Sequence, residues 1–237
     1  MNDKKLKRKV NFLTFYALVS SLIFTTLILT GFKNSEKKES FDELTVKRLN
    51  IVDETGKNLR MVISNESRQH PGMISGEKFP ARERPSGIIF FNSVGDECGG
   101  LIYDGTEKNA GMVLSFDQYK NDQVMQMQYE RTQDDRQYGV NIWDRSESIT
   151  LDVLIKTMDS MQKQDIPQKE IMAHLIKMSD GKPISARRLF AGKNYDNQVG
   201  LFIKDEFGNE RINIYVDEKN KTKLEILDED GNIVKLF

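Results

Sequence analysis

Apolar residues follow three successive spacings along this chain. From Phe12 to Phe32 the sequence reads FLTFYALVSSLIFTTLILTGF, without a charged side chain. As a helix rising 1.5 Å per residue it is about 30 Å long, the thickness of a bilayer's hydrocarbon core. Eleven Leu, Ile, Phe or Val residues lie between Phe12 and Leu29; together they favour insertion by roughly 3–6 kcal/mol. One transmembrane helix is therefore expected over 10–32, with lipid contact through 12–32. Hydroxyl residues such as Thr14, Ser20, Thr25 and Thr26 offset part of the gain.

Beyond residue 45 the period shortens to two. Four times an extended apolar stretch runs into Asp or Asn, and Gly follows three positions later: LNIVDETG (Asp53, Gly56), IIFFNSVG (Asn92, Gly95), LFIKDEFG (Asp205, Gly208) and LEILDEDG (Asp228, Gly231). After each Gly another such stretch begins: LRMVIS, GLIY, RINIYV and IVKLF. A tight hairpin turn needs one residue with positive φ, which Gly supplies, and an Asp or Asn side chain can bond the backbone two residues on. These eight residues are expected to be structural turn positions.

The flanks alternate. Leu59, Met61 and Ile63 oppose Arg60, Val62 and Ser64, while Ile212, Ile214 and Val216 oppose Arg211, Asn213 and Tyr215. Each strand thus offers an apolar face that needs cover from a second sheet or from helices. Residues 112–116, 124–129 and 138–143 read as further strands. Met125 and Met127 alternate with Gln126 and Gln128, which predicts one buried and one wet face.

A helical period enters at Leu151, Leu154, Ile155, Met158 and Met161, starting near Ser148 or Thr150. It returns after Asp165, with Pro167 in a first-turn position, through Ile171, Met172, Leu175, Ile176 and Met178 until Gly181. The fold class that results is mainly β with a helical hairpin inserted at about 148–180 (α+β). Its repeated antiparallel hairpins are compatible with a sandwich, a barrel or a β-solenoid. The expected organisation is a cytoplasmic tail (1–9), the transmembrane helix (10–32), a polar stalk (33–44) and a β-rich soluble domain (45–237). Glu66 to Ser86, which contains Pro71, Pro80 and Pro85, reads as a long surface loop, and loops of that length usually carry a role.

Charge fixes an orientation. Lys4, Lys5, Lys7, Arg8 and Lys9 precede the span, against Lys33, Lys37 and Lys38 mixed with Glu36 and Glu39 after it. The positive-inside rule keeps the N-terminus cytoplasmic and sends the domain across the membrane. A cleaved signal peptide, leaving a secreted soluble protein, is the competing reading. The apolar run exceeds the usual signal length, and no A-x-A-like site follows it. The net charge of −1, with both signs interspersed, offers no concentrated basic face for nucleic acid.

Candidate chemistry is sparse. Asp228–Gly231 resembles a calcium loop, but with Gly231 at loop position six the first ligand position falls on Ile226. Cys98 with His70 or His174 is the one conceivable thiol–imidazole pair, and nothing in the spacing joins them. Cys98–Gly99–Gly100 reads instead as a bulge or close strand approach. Glycines 95, 99 and 100 lack the Lys and helix of a phosphate loop. Arg60, Arg82, Arg84, Arg187, Arg188 and Arg211 read as solvated side chains, each also able to meet an anion. No catalytic, cofactor-binding or metal-binding residue is assigned, and no cofactor is expected. A cluster of Arg82, Glu83 and Arg84 beside Asp117 and Tyr119 would form a site if folding assembled it.

FDELTVKRLNIVDETG (41–56), LRMVISN (59–65), GIIFFN…G…GGLIY (87–103) and LSFDQY (114–119) followed by DQV resemble a family of uncharacterised bacterial proteins with a single N-terminal span. That resemblance implies a β-rich envelope protein and transfers no catalytic residue. The expected function is a membrane-anchored, non-enzymatic β-rich envelope protein that serves as an interaction or structural module, with a protein or an envelope polymer as its partner. The alternative is a domain that binds or hydrolyses carbohydrate or peptidoglycan fragments near the 66–86 loop.

Overall fold

Each Asp- or Asn-initiated turn folds the chain back on itself, and the strands so produced line up in sequence order. The structure, a computed structural model, describes residues 3–31 and 39–234. Phe32, residues 33–38 of the expected stalk and Lys235–Phe237 at the end of IVKLF lie outside the described residues. The chain divides into two compact units, Met1–Thr45 and Val46–Phe237. The first holds helix α1 (Asp3–Gly31), which continues through the basic residues that precede the apolar run. Within Asp3–Leu29 an 18-residue window has a mean hydropathy of 2.1, so the helix is long and apolar enough to cross a membrane. The Thr14 and Thr25 hydroxyls donate to the carbonyls of Val10 and Ser21, so these polar groups are satisfied within the helix.

The second unit is built on one antiparallel sheet. Its strands are β1 (Arg48–Val52), β2 (Leu59–Ser64), β5 (Ser86–Phe91), β6 (Glu97–Gly105), β7 (Ala110–Asp117), β8 (Gln123–Arg131), β9 (Arg136–Arg145), β10 (Ser185–Lys193), β11 (Val199–Lys204), β12 (Glu210–Val216), β13 (Thr222–Leu227) and β14 (Ile233–Val234). They pair in that order as a single twelve-stranded meander. The chain is therefore mainly β, and these twelve strands form one open sheet that does not close into a barrel. Between β2 and β5 a small hairpin forms from β3 (Met73–Ile74) and β4 (Glu77–Lys78). Between β9 and β10 lie α2 (Leu151–Gln162) and α3 (Gln168–Met178), whose Ile171 and Leu175 pack with Ile149 and Ile184. Pro167 stands one place earlier than its first-turn reading, as the N-cap of α3 with ψ 141°. Gly181 has φ 81°, which ends the helical hairpin.

The turns work as the residue types require. Gly56, Gly95, Gly208 and Gly231 have φ of 70°, 92°, 88° and 81°. In the turn that joins β11 to β12, the Asp205 Oδ1 accepts from the backbone N–H groups of Phe207 and Asn209, both at 2.9 Å. Asp53 is held by the Thr55 hydroxyl and the Asn58 amide, which keep its carboxyl down at about 2. Two further turns share the design with Asn in place of Gly: Asn194 to Asn197 (φ 59°) and Asp217 to Asn220 (φ 57°). A search for Gly alone passes over them, although Asn is the next residue to tolerate positive φ. Strand β10 was hidden for a different reason. Its register slips between Arg187 and Leu189, so the period of two breaks at the adjacent arginines.

The alternation is present, but its burial is inverted. Across the sheet Leu49, Ile63, Ile88, Leu101, Leu114, Met127, Val140, Ala191, Leu201, Ile214 and Leu224 stand opposite one another in a continuous row. Two positions along, a parallel row runs through Met61, Phe90, Phe116, Met125, Ile142, Leu189, Ile203, Ile212 and Ile226. None of these side chains is buried; Met127 is 53% and Ile214 44% exposed. The opposite face carries the buried sheet residues Val62, Ile89, Phe91, Asn141, Phe190, Phe202 and Asn213. The Met61–Ile63 and Ile212–Val216 faces, and Met127 with its buried reading, are thus the open side. The reason is topological: among its described residues the second unit supplies no second layer there. Cover is concentrated on the other face, where Met73 joins Val62, Ile89 and Phe91.

Candidate functional site

The 66–86 segment leaves β2, lies against the buried face beside β5 and β6, and returns. His70 is almost wholly enclosed, with its ring set edge-on to Phe91 at 4.8 Å. Its Nδ1 accepts from the Gly72 N–H at 3.1 Å, which leaves the proton on Nε2 without an acceptor. Burial, with Arg48 and Lys78 adding repulsion, pushes the imidazole down to about 4. His70 is therefore neutral at pH 7 and serves as a packing element of the loop. Arg84, farther along, forks onto Glu97 of β6 with N–O distances of 2.8 and 2.9 Å, and also donates to the His70 carbonyl.

Next to this pair the β7–β8 turn meets the start of α2. The Leu151 N–H donates to the Lys120 carbonyl at 2.9 Å, and the Asn121 amide donates to the carbonyls of Ser146 and Ile149. Arg145 ties the same turn down through Asp122 at 3.3 Å and the Gln123 carbonyl at 2.7 Å. Loop, turn and helix together enclose a cavity of about 300 Å³. Ile74, Phe79, Leu151 and Ile155 form its apolar wall, and Arg82, Arg84, Glu97, Asp117, Asn121, Asp122 and Gln123 its polar one.

Asp117 sets the electrostatics. It ends β7 at a register shift, and its Oδ1 is buried without a hydrogen-bond partner. Burial, reinforced by Glu97 and Asp122 and opposed by Arg84 and Arg145, pushes its carboxyl up to about 7. Near neutrality it is thus poised between a hydrogen-bond donor and an anion. A raised carboxyl favours the folded state when protonated. The stability it contributes is complete below the ordinary Asp range near pH 4 and is lost as pH rises through about 7. His70 acts in the opposite sense: its contribution is present above about pH 6.5 and is lost as pH falls through about 4. Because the His70 contribution is common to both proteins, we expect the melting temperature of Asp117→Asn to gain several degrees on that of the parent as pH rises from 5 to 8. Parallel pH profiles of the two proteins would refute the assignment.

Of the cluster expected from the sequence, Arg82, Arg84 and Asp117 do meet at this cavity, whereas Glu83 and Tyr119 are exposed and do not line it. Glu97 and the polar run from Asn121 to Gln123 were missed; the recognisable signal was their placement on either side of adjacent hairpin turns. Cys98 occupies the bulge between residues paired with Phe90 and Phe91. Burial, with Asp117 and Glu97 nearby, pushes its thiol up, away from the thiolate a nucleophile needs. His174 is exposed on α3.

The other arginines hold the sheet together. Arg60 donates to the Asn92 carbonyl at 2.8 Å, Arg188 pairs with Asp144, Arg211 pairs with Asp205 at 2.6 Å, and Arg187 lies 5.9 Å over the Phe190 ring. Asp228 spends its Oδ1 on the N–H groups of Asp230 and Asn232. Among the described residues, no group of three or more His, Cys, Asp or Glu is placed to hold a metal ion. No protein-family model, curated protein or solved structure matches this chain.

Proposed function

We propose that this chain is a membrane-tethered, non-enzymatic interaction module of a bacterial envelope. Helix α1 holds it in the bilayer with the basic N-terminus in the cytoplasm, and the sheet on the far side docks a protein through its apolar face. The observation that carries this reading is the uncovered pair of apolar rows across the sheet, far larger than the scattered apolar residues of an ordinary surface. Full-length protein should remain with membranes after an alkaline wash. In mild detergent it should migrate as a complex that Met127→Glu disperses and Gln126→Glu, on the opposite face, does not. Extraction by alkali would remove the tether; unchanged migration of Met127→Glu would remove the docking face.

A second reading is favoured by the cavity beside Arg82 and Asp117, where an orphaned carboxylate oxygen sits among amides, a guanidinium and an apolar wall. That mixture suits a small polyhydroxylated ligand such as a saccharide or peptidoglycan fragment, which presents hydroxyls and C–H faces together. Soluble muropeptides should then raise the melting temperature of the parent and leave Asp117→Asn unmoved.

A further inference from the structure

We infer that the occupant of the apolar face is a second copy of this chain, so that two sheets stack face to face into a symmetric sandwich. The inference rests on the docking role proposed above and specifies the partner. Sheets need a second layer, and among its described residues the second unit places α2, α3 and its long loop away from this face, so the missing layer comes from outside that unit.

Dimension is the first argument. Twelve strands spaced about 4.8 Å apart span about 53 Å, and side-chain rows two residues apart are separated by about 7 Å. Two full rows, with a shorter third through Tyr103, Met112, Tyr129 and Tyr138, give a footprint of roughly 800 Å² per copy, or about 1,600 Å² for the pair. That lies in the range of specific, stable interfaces. Identical sheets carry identical twist, which lets them pack aligned at about −30°.

Charge is the second argument, and it weighs against lipid. Every position in the two rows is uncharged. The turns bordering them mix both signs: Asp53, Glu54, Asp104, Glu107, Asp134, Asp135, Asp205, Glu206, Asp217 and Glu218 alternate with Lys57, Lys108, Lys120, Lys219 and Lys221. A rim of interspersed charge lacks the clustered Lys and Arg that draw a protein surface onto an anionic bilayer. In a sandwich the same rim stays in water, where it is screened. An isologous two-fold also requires that the centre of the face meet itself. Met127 of β8 and Val140 of β9 are directly opposed there, in the sixth and seventh strands of the order.

The test is photo-crosslinking of the full-length protein in native membranes, with p-benzoylphenylalanine placed at Met127 and, as control, at Gln126. The expected result is an adduct of twice the chain mass from position 127 alone. Its linked peptides should map to β8 or β9 of the other copy, near Met125, Val140 or Ile142. An adduct with a different protein would overturn self-association and leave the docking face standing. A lipid adduct alone, or no adduct from position 127, would overturn both. Repeating the experiment from Leu201, in the same row, guards against local damage at one site.

Discussion

Replacing Gly139 by valine is expected to prevent stable folding of the sheet. Gly139 and Gly192 face each other across β9 and β10, and Gly192 in turn faces Gly200 of β11. A Cβ on Gly139 would overlap the Ala191 carbonyl oxygen and stand 2.9 Å from the Gly192 Cα. A Cβ on Gly192 would overlap the Tyr138 carbonyl and stand 2.6 Å from the Gly139 Cα. These neighbours are backbone, which cannot swing away as a side-chain tip can. Overpacking costs about 1–3 kcal/mol and the strained φ about as much again. The sum of roughly 2–6 kcal/mol is a large part of a typical domain's stability.

Two comparisons make the experiment specific. Gly208→Val meets open space in its turn, so only the positive φ is penalised and the loss should be about 1–3 kcal/mol. Gly111→Val, inside β7, has a single neighbour at 3.8 Å and should be tolerated. The measurement is thermal and urea unfolding of the three variants. Equal stability of the Gly139 and Gly111 variants would show that the close approach is not what those glycines serve.

Arg84→Met should be the most damaging side-chain change at the cavity. The side chains of Arg84 and Glu97 are 13% and 15% exposed, and each satisfies the other in a two-pronged pair. Removal of the guanidinium leaves Glu97 charged in a poorly solvated place, a loss of about 3–5 kcal/mol for buried pairs. It also removes a cation that draws the Asp117 carboxyl down, so the pH range over which that group titrates should move higher. The double replacement Arg84→Met with Glu97→Met should recover most of the lost stability, since an apolar pair leaves no orphaned charge. A double-mutant cycle reads the coupling directly. Additive losses would mean that the two side chains are independent and that the fork does not hold the loop.

Much of this molecule was legible before folding because it depends on neighbours in sequence. The apolar run that makes α1, the Asp/Asn turns, the strands at 112–116, 124–129 and 138–143 and the helical hairpin all follow from local backbone and side-chain preferences. The arginine–carboxylate cluster was legible only in part. Arg82, Arg84 and Asp117 stood out by type, but Glu97 reached them because strand order sets β6 beside β7. Strand β10 escaped notice because a bulge shifts its alternation by one residue.

By itself the sequence determined which residues turn, which extend, which coil and which segment is apolar enough for lipid, since each depends on φ preferences and short periods. Only the tertiary structure decided which side of each strand is enclosed. Alternation marks two faces, but it is the path of the 66–86 loop that selects the one to cover. That loop lies on the side of Val62, Ile89 and Phe91, and the richer apolar side is left facing outward.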